Sequence, residues 1–249
     1  MLAFQLAGLV FVSVIVVLRW HGPPATSHLL YGFLAGTSGA VGLGALYKAM
    51  SVGAISIVTP IAATSAIVPV AVGFAHGDRP SSVQDAGFVL AFVGVVLASR
   101  EEVREARTDT RIAAGVGLAL FAALCFGSSL VGLHAAAASG GDALWGTLML
   151  RVAGIAVAVA FVAVARTRLR GQTRELVRLS PIGFLDSIGV LAFSLASTRG
   201  LISVVSVLSS LFPVVTVALA TILLHERLSR VQGIGVAAAI CGAAALAAG

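Results

Sequence analysis

Charge is what this 249-residue chain has least of: Asp, Glu, Lys and Arg together make up 10 % of it, against roughly 25 % in an average soluble chain. A water-soluble fold of this size must cover its surface with polar side chains, and too few are present. The deficit excludes an ordinary soluble enzyme, a nucleic-acid-binding domain and a disordered chain. Lysine is reduced to Lys48. Cysteine is reduced to Cys125 and Cys241, both inside apolar runs and without metal-ligand spacing, so both read as small packing residues. There is no G-x-S-x-G, no Walker loop, no zinc spacing and no paired acid in a loop, so neither catalysis, a cofactor nor a metal site is expected. What is abundant is apolar: 59 % of the residues are hydrophobic and the mean hydropathy is +1.06. The composition is that of an all-α polytopic membrane protein.

A bilayer core of about 30 Å needs about 20 apolar residues of helix. Nine segments qualify, near 1–18, 29–50, 52–75, 83–99, 112–136, 143–165, 181–198, 201–224 and 231–248. They are continuous and rich in Ala, Leu and Val, without the alternation of a membrane β-barrel. The first has no basic leader and no clear cleavage site, so it reads as a span and not as a signal peptide. The net charge of +6 comes from arginines in the gaps, which is the pattern of loops beside a bilayer. Counted on alternate sides, one side holds Lys48, Arg100, Arg104, Arg107, Arg111, Arg166, Arg168, Arg170, Arg174, Arg178, Arg227 and Arg230, and the other Arg19, Arg79 and Arg199. The richer side is expected to be cytoplasmic, with the C-terminus outside.

The chain repeats itself. Asp78-Arg79-Pro80-Ser81-Ser82-Val83-Gln84, with Gly87 beyond, matches Glu226-Arg227-Leu228-Ser229-Arg230-Val231-Gln232, with Gly235 beyond, at an offset of 148 (226 against 78). Residues 45–56 fall on 192–203 at an offset of 147, and 2–8 fall on 148–154 at 146. The second to fourth segments therefore repeat as the seventh to ninth, and the first as the sixth, while the fifth has no earlier partner. The implied unit is five helices, with the first helix of the first copy missing and a further helix expected upstream of Met1; the alternative is a genuine nine-helix architecture. An odd-numbered repeat is inverted across the membrane, a frequent construction of secondary transporters. The division is 1–99 as the first repeat, 100–111 as a charged linker and 112–249 as the second repeat.

The [DE]-R-x-S-x-x-Q-x-x-G turn resembles the EamA-like family of the drug/metabolite transporter superfamily. So do the stretch 203–229 with its late proline and LCFGSSLVGLHA at 124–135. The second copy is the better match; the first has Asp78 where Glu is usual. The resemblance implies ten helices around a central cavity, lined here by the second, third, seventh and eighth segments. It also implies a cytoplasmic C-terminus, the reverse of the charge count.

Ser203, Ser206 and Ser210 share one helical face, and Ser56 and Thr59 stand at equivalent positions of the first repeat. Hydroxyls both donate and accept at little charge cost, which suits a substrate path; they could equally bond back to helix carbonyls. Ser128, Ser129, Ser194 and Tyr47 extend the candidate path, with Tyr47 and Ser194 as repeat equivalents. Pro60, Pro69 and Pro213 each remove a backbone donor and are candidate hinges or static bends. Arg151 and Asp186 are the intramembrane charges: an anion anchor and a site for a substrate amine or a proton on one reading, a structural pair on the other. The fifth segment carries no carboxylate, which speaks against a proton antiporter of the four-helix multidrug type.

These features point to a secondary transporter in the plasma membrane that exports or exchanges a small polar metabolite, an amino acid or related compound, by alternating access. The alternatives are an uptake carrier for an organic cation and a non-transporting scaffold or truncated paralogue. The expected partners are the bilayer and a small-molecule substrate, with no nucleic acid; a homodimer stays open.

Overall fold

The computed structural model describes residues 2–19, 22–53, 55–98, 109–164, 173–223 and 229–248. All regular structure among them is helical: α1 (Leu2–Arg19), α2 (Thr26–Val52), α3 (Ile55–Ala63), a 3₁₀ turn (Thr64–Ala66), α4 (Ile67–Ala75), α5 (Ser82–Ala98), α6 (Asp109–Ala137), α7 (Ala143–Val164), α8 (Thr173–Ser197), α9 (Ile202–Ser209), α10 (Phe212–Leu223) and α11 (Arg230–Ala248). Six stretches are long and apolar enough to cross a bilayer: 26–52, 57–75, 114–137, 143–164, 180–197 and 230–248. The first and fourth expected segments give shorter apolar helices, and the eighth is split between α9 and α10. The charged stretch 100–111 lies outside the described residues except for its last three, which open α6. Large apolar side chains point outward, with Phe161 70 % and Val89 66 % exposed, as a surface solvated by lipid requires and one solvated by water does not.

Helix boundaries follow the local chemistry. The eight residues before Pro181 extend α8 back to Thr173, because a helix beyond the apolar core tolerates the donor that a proline removes. The turn motif found twice in the sequence forms a reciprocal cap in both copies. Ser81 N–H donates to Gln84 Oε1 (3.0 Å), and Gln84 N–H donates to Ser81 Oγ (3.3 Å). Ser229 and Gln232 repeat the pattern at 3.0 and 3.2 Å. Two orphan donors at the start of α5, and two at the start of α11, are thereby satisfied.

The chain divides into two compact units, 1–41 with 128–199 and 42–127 with 200–249. Each draws on both halves of the sequence. In the first unit α1 packs on α7 and α8. Gly8 faces Ser187, with Arg151 beside it, and Gly154 faces Gln5, each too close for a Cβ without a shift. Phe11 packs on Phe184 with ring centroids 4.3 Å apart.

In the second unit the most extensive packing is α5 on α11. Gly87 meets Leu246, Ala91 meets Gly242, Gly94 meets Ala239 and Ala98 meets Gly235. One index rises as the other falls, so the helices run antiparallel. Backbone approaches backbone, which is how helices gain contact where lipid supplies no hydrophobic drive. Small apolar clusters flank this pair: Ala66, Val204 and Val207 with Ala91 and Leu246, and Ala63 and Val214 with Ala98 and Ala239.

Candidate functional site

The intramembrane charges meet in the first unit. Arg151 on α7 is 1 % exposed, and its guanidinium lies 2.7 Å from the Asp186 carboxylate of α8. It also donates to Gln5 Oε1 on α1 at 2.8 Å. A buried charge is tolerated when it is paired and hydrogen-bonded, and both conditions hold. The two members differ in access: Asp186 is 47 % exposed. What this cluster offers outward is thus a carboxylate, with the arginine enclosed behind it. Ser187, fully buried next to Asp186, returns its hydroxyl to the Gly183 carbonyl at 2.8 Å. Arg151 Nε is buried without a hydrogen-bond partner beside Gly8. Gln5 is the residue that sequence reasoning passed over. It was visible only as the repeat equivalent of Arg151, and the two turn out to touch.

The second unit holds two interrupted helices. The path from α3 to α4 is broken at Thr64–Ala66, and that from α9 to α10 at Ser210 and Leu211. At the repeat offset of 147 the two breaks overlap at residue 211. Proline chemistry explains their placement. Pro69 has no N–H for the Ser65 carbonyl and Pro213 has none for that of Ser209. The backbone ladder takes shorter-range bonds at both breaks: Ile67 N–H donates to Thr64 O, and Ser210 N–H donates to Val207 O at 3.0 Å and Val214 N–H to Leu211 O at 2.9 Å. Gly127 of α6 fits against the Ser65 carbonyl. Pro60 lies within α3, ahead of the break.

The serine face of α9 divides by role. Ser203 donates through its hydroxyl (2.7 Å) and its backbone N–H (3.1 Å) to Asp78 Oδ2. Ser206 is fully buried, and its hydroxyl has no hydrogen-bond partner. Ser210 bonds back to the Val207 carbonyl at 2.7 Å, the local alternative to a substrate contact. Asp78 is the second residue whose role the sequence concealed: a turn residue by position, it caps a helix far along the chain.

The remaining candidates are spread out. Thr59 is half-buried on α3, and the side chains of Ser56 and Pro213 lie outside the described residues. Ser129 of α6 faces Gly39, Ser128 beside it is exposed, and Tyr47 is exposed on α2. Ser194 of α8 is fully buried with an unpartnered hydroxyl. Among the described residues no group of three or more His, Cys, Asp or Glu could hold a metal ion.

The sequence matches the model of a family described as "EamA-like transporter family" over residues 113–248. No curated protein matches the chain. A solved structure described as "Crystal structure of protein" is similar, with a TM-score of 0.67 at 16 % identity over 97 % of this chain and 94 % of the other; at that identity the likeness speaks for the fold.

Proposed function

The chain belongs to the EamA-like transporter family, part of the drug/metabolite transporter superfamily, and is a multi-pass membrane protein; from that premise we propose a secondary carrier for a small polar metabolite, an amino acid or related compound, exported or exchanged across the plasma membrane. It works by alternating access between two inverted five-helix repeats, with nine crossings in the chain as given.

One observation carries the reading: two helices at repeat-equivalent positions are both interrupted, within the same unit, beside serines. Interrupted helices expose backbone carbonyls and dipoles inside a bilayer, at a cost that carriers offset by placing substrate there. The buried, unpartnered hydroxyl of Ser206 supports a polar path there, since such a group costs about 1–3 kcal/mol unless something bonds to it. The inverted arrangement is supported by the antiparallel pairing of α5 with α11. Adding 148 to 87 and 98 gives 235 and 246, so Gly87 on Leu246 and Gly235 on Ala98 are the same contact made twice. Asp186, the accessible carboxylate, is assigned to the substrate's ammonium group, with Arg151 holding it in place.

Counterflow in proteoliposomes with a labelled amino-acid panel tests the function. Saturable exchange is expected, abolished by Asp186→Asn and by Arg151→Gln. A folded protein that exchanges no member of the panel, or variants that exchange normally, would overturn the assignment.

A further inference from the structure

The half-helices α4 and α9 lie side by side and antiparallel. Ala66, just ahead of α4, packs with Val204 and Val207 of α9, while Asp78, just beyond α4, reaches the first turn of α9. Both helix breaks thus sit at one end of this pair, and at the other end a single carboxylate joins the two. No comparable pairing of α3 with α10 is present among the described residues, although these are the repeat equivalents of α9 and α4.

The join is unusual in its origin. A helix start leaves orphan N–H donors that a side chain at the capping residue normally satisfies. The residue at that position is Leu201, which makes no such bond. The cap comes instead from Asp78, 125 residues away along the chain. A cap within the helix would move with it, whereas this one holds two elements together. Its position is set closely: Asp78 N–H donates to Gly73 O at 2.9 Å, Gly77 turns the chain at φ +100°, and Gly73 leaves room for the carboxylate, which contacts the space a Cβ would fill.

We propose that Asp78 is the latch of a two-helix gate formed by α4 and α9, hinged at Thr64–Ala66 and at Ser210–Leu211, and that the structure holds this gate shut. The proposal rests on the carrier reading, because only alternating access requires one end of such a pair to open. Charge-assisted bonds to Ser203 and to the positive end of α9 hold the gate closed, and losing them shifts the pair toward the open state.

The test uses the full chain in liposomes with Cys125→Ala and Cys241→Ala. Ile202→Cys reports on the gate, since Ile202 is 6 % exposed against Gly73. Val12→Cys, fully buried in the other unit, reports on general loosening. Asp78→Ala is expected to raise the rate of maleimide labelling at position 202 by about tenfold, the size of effect that losing a charged hydrogen bond has on a local opening equilibrium. Labelling at position 12 stays unchanged. Ser203→Ala, which keeps the backbone bond, gives a smaller rise in the same direction. An unchanged rate at 202, or an equal rise at both positions, would overturn the latch. Labelling does not depend on the transported compound, so a rise at 202 without counterflow would sink the carrier reading and reduce the contact to a structural tie between α4 and α9, whereas counterflow without a rise at 202 would overturn the latch alone.

Discussion

Arg151 and Asp186 occupy positions whose repeat equivalents are Gln5 and Gly39. Both members of the ion pair are therefore present in one repeat and both absent from the other. Removing one partner strands a buried charge, at a cost of about 3–5 kcal/mol. Removing both returns the site to the uncharged chemistry that the first repeat already carries. Asp186→Asn alone is expected to lower the unfolding temperature sharply, because it leaves the enclosed Arg151 without its counter-ion. The double variant with Arg151→Gln is expected to recover much of that loss while its exchange activity stays absent. Thermal unfolding in detergent, set beside counterflow on the same preparations, separates the two effects. If the double variant were as unstable as the sum of the singles, the pair would not be coupled.

At the scale of elements, the turn motif resolves into three separate physical tasks. Its acidic residue, seen in Asp78, caps a helix elsewhere. Its Ser and Gln form the reciprocal cap of the helix that follows. Its glycine lets that helix approach the other copy's backbone, Gly87 against Leu246 and Gly235 against Ala98. Ser81→Ala and Ser229→Ala are each expected to cost about 1 kcal/mol, with faster amide exchange confined to the first turn of α5 or α11. Equal effects in the two variants would mark the caps as equivalent; exchange spreading along the whole helix would contradict a local capping role. The helices and their approximate limits were legible in the sequence because apolar runs of this length have few alternatives. The twice-used capping turn was legible because it carries polar residues at fixed spacing. The breaks after Ala63 and Ser209 were not, since a proline announces a lost donor without saying whether the helix continues, as α3 does through Pro60, or stops. Contacts between distant residues, Arg151 with Gln5 and Asp78 with Ser203, depend on how helices pack, and a single sequence carries no direct record of that.

For the whole molecule, the proposed inverted arrangement makes a claim about sides. Ser82 and Arg230 are repeat equivalents at the starts of α5 and α11, and both are exposed. With the native cysteines replaced, Ser82→Cys and Arg230→Cys should react with a membrane-impermeant maleimide from opposite faces of sealed vesicles. Reaction from the same face would exclude inversion outright, and with it the alternating-access reading. The same experiment fixes which face the C-terminus occupies, where the arginine count and the family resemblance point in opposite directions.

On the proposed two-repeat reading, joining the copies into one polypeptide also permits something that a pair of identical chains could not have. Gln5 and Arg151 are counterparts, and they touch. In a dimer of identical subunits every substitution arrives twice, so an arginine at this contact would face a second arginine across the axis. Each arginine would keep its own carboxylate, but two buried cations would meet where the structure places a cation against an amide. Covalent fusion lifts that restriction: one copy can acquire the cation and its carboxylate while the other supplies a neutral amide to receive it. The Arg151–Asp186 pair is thus a privilege of broken symmetry, open to a chain whose two copies are free to differ.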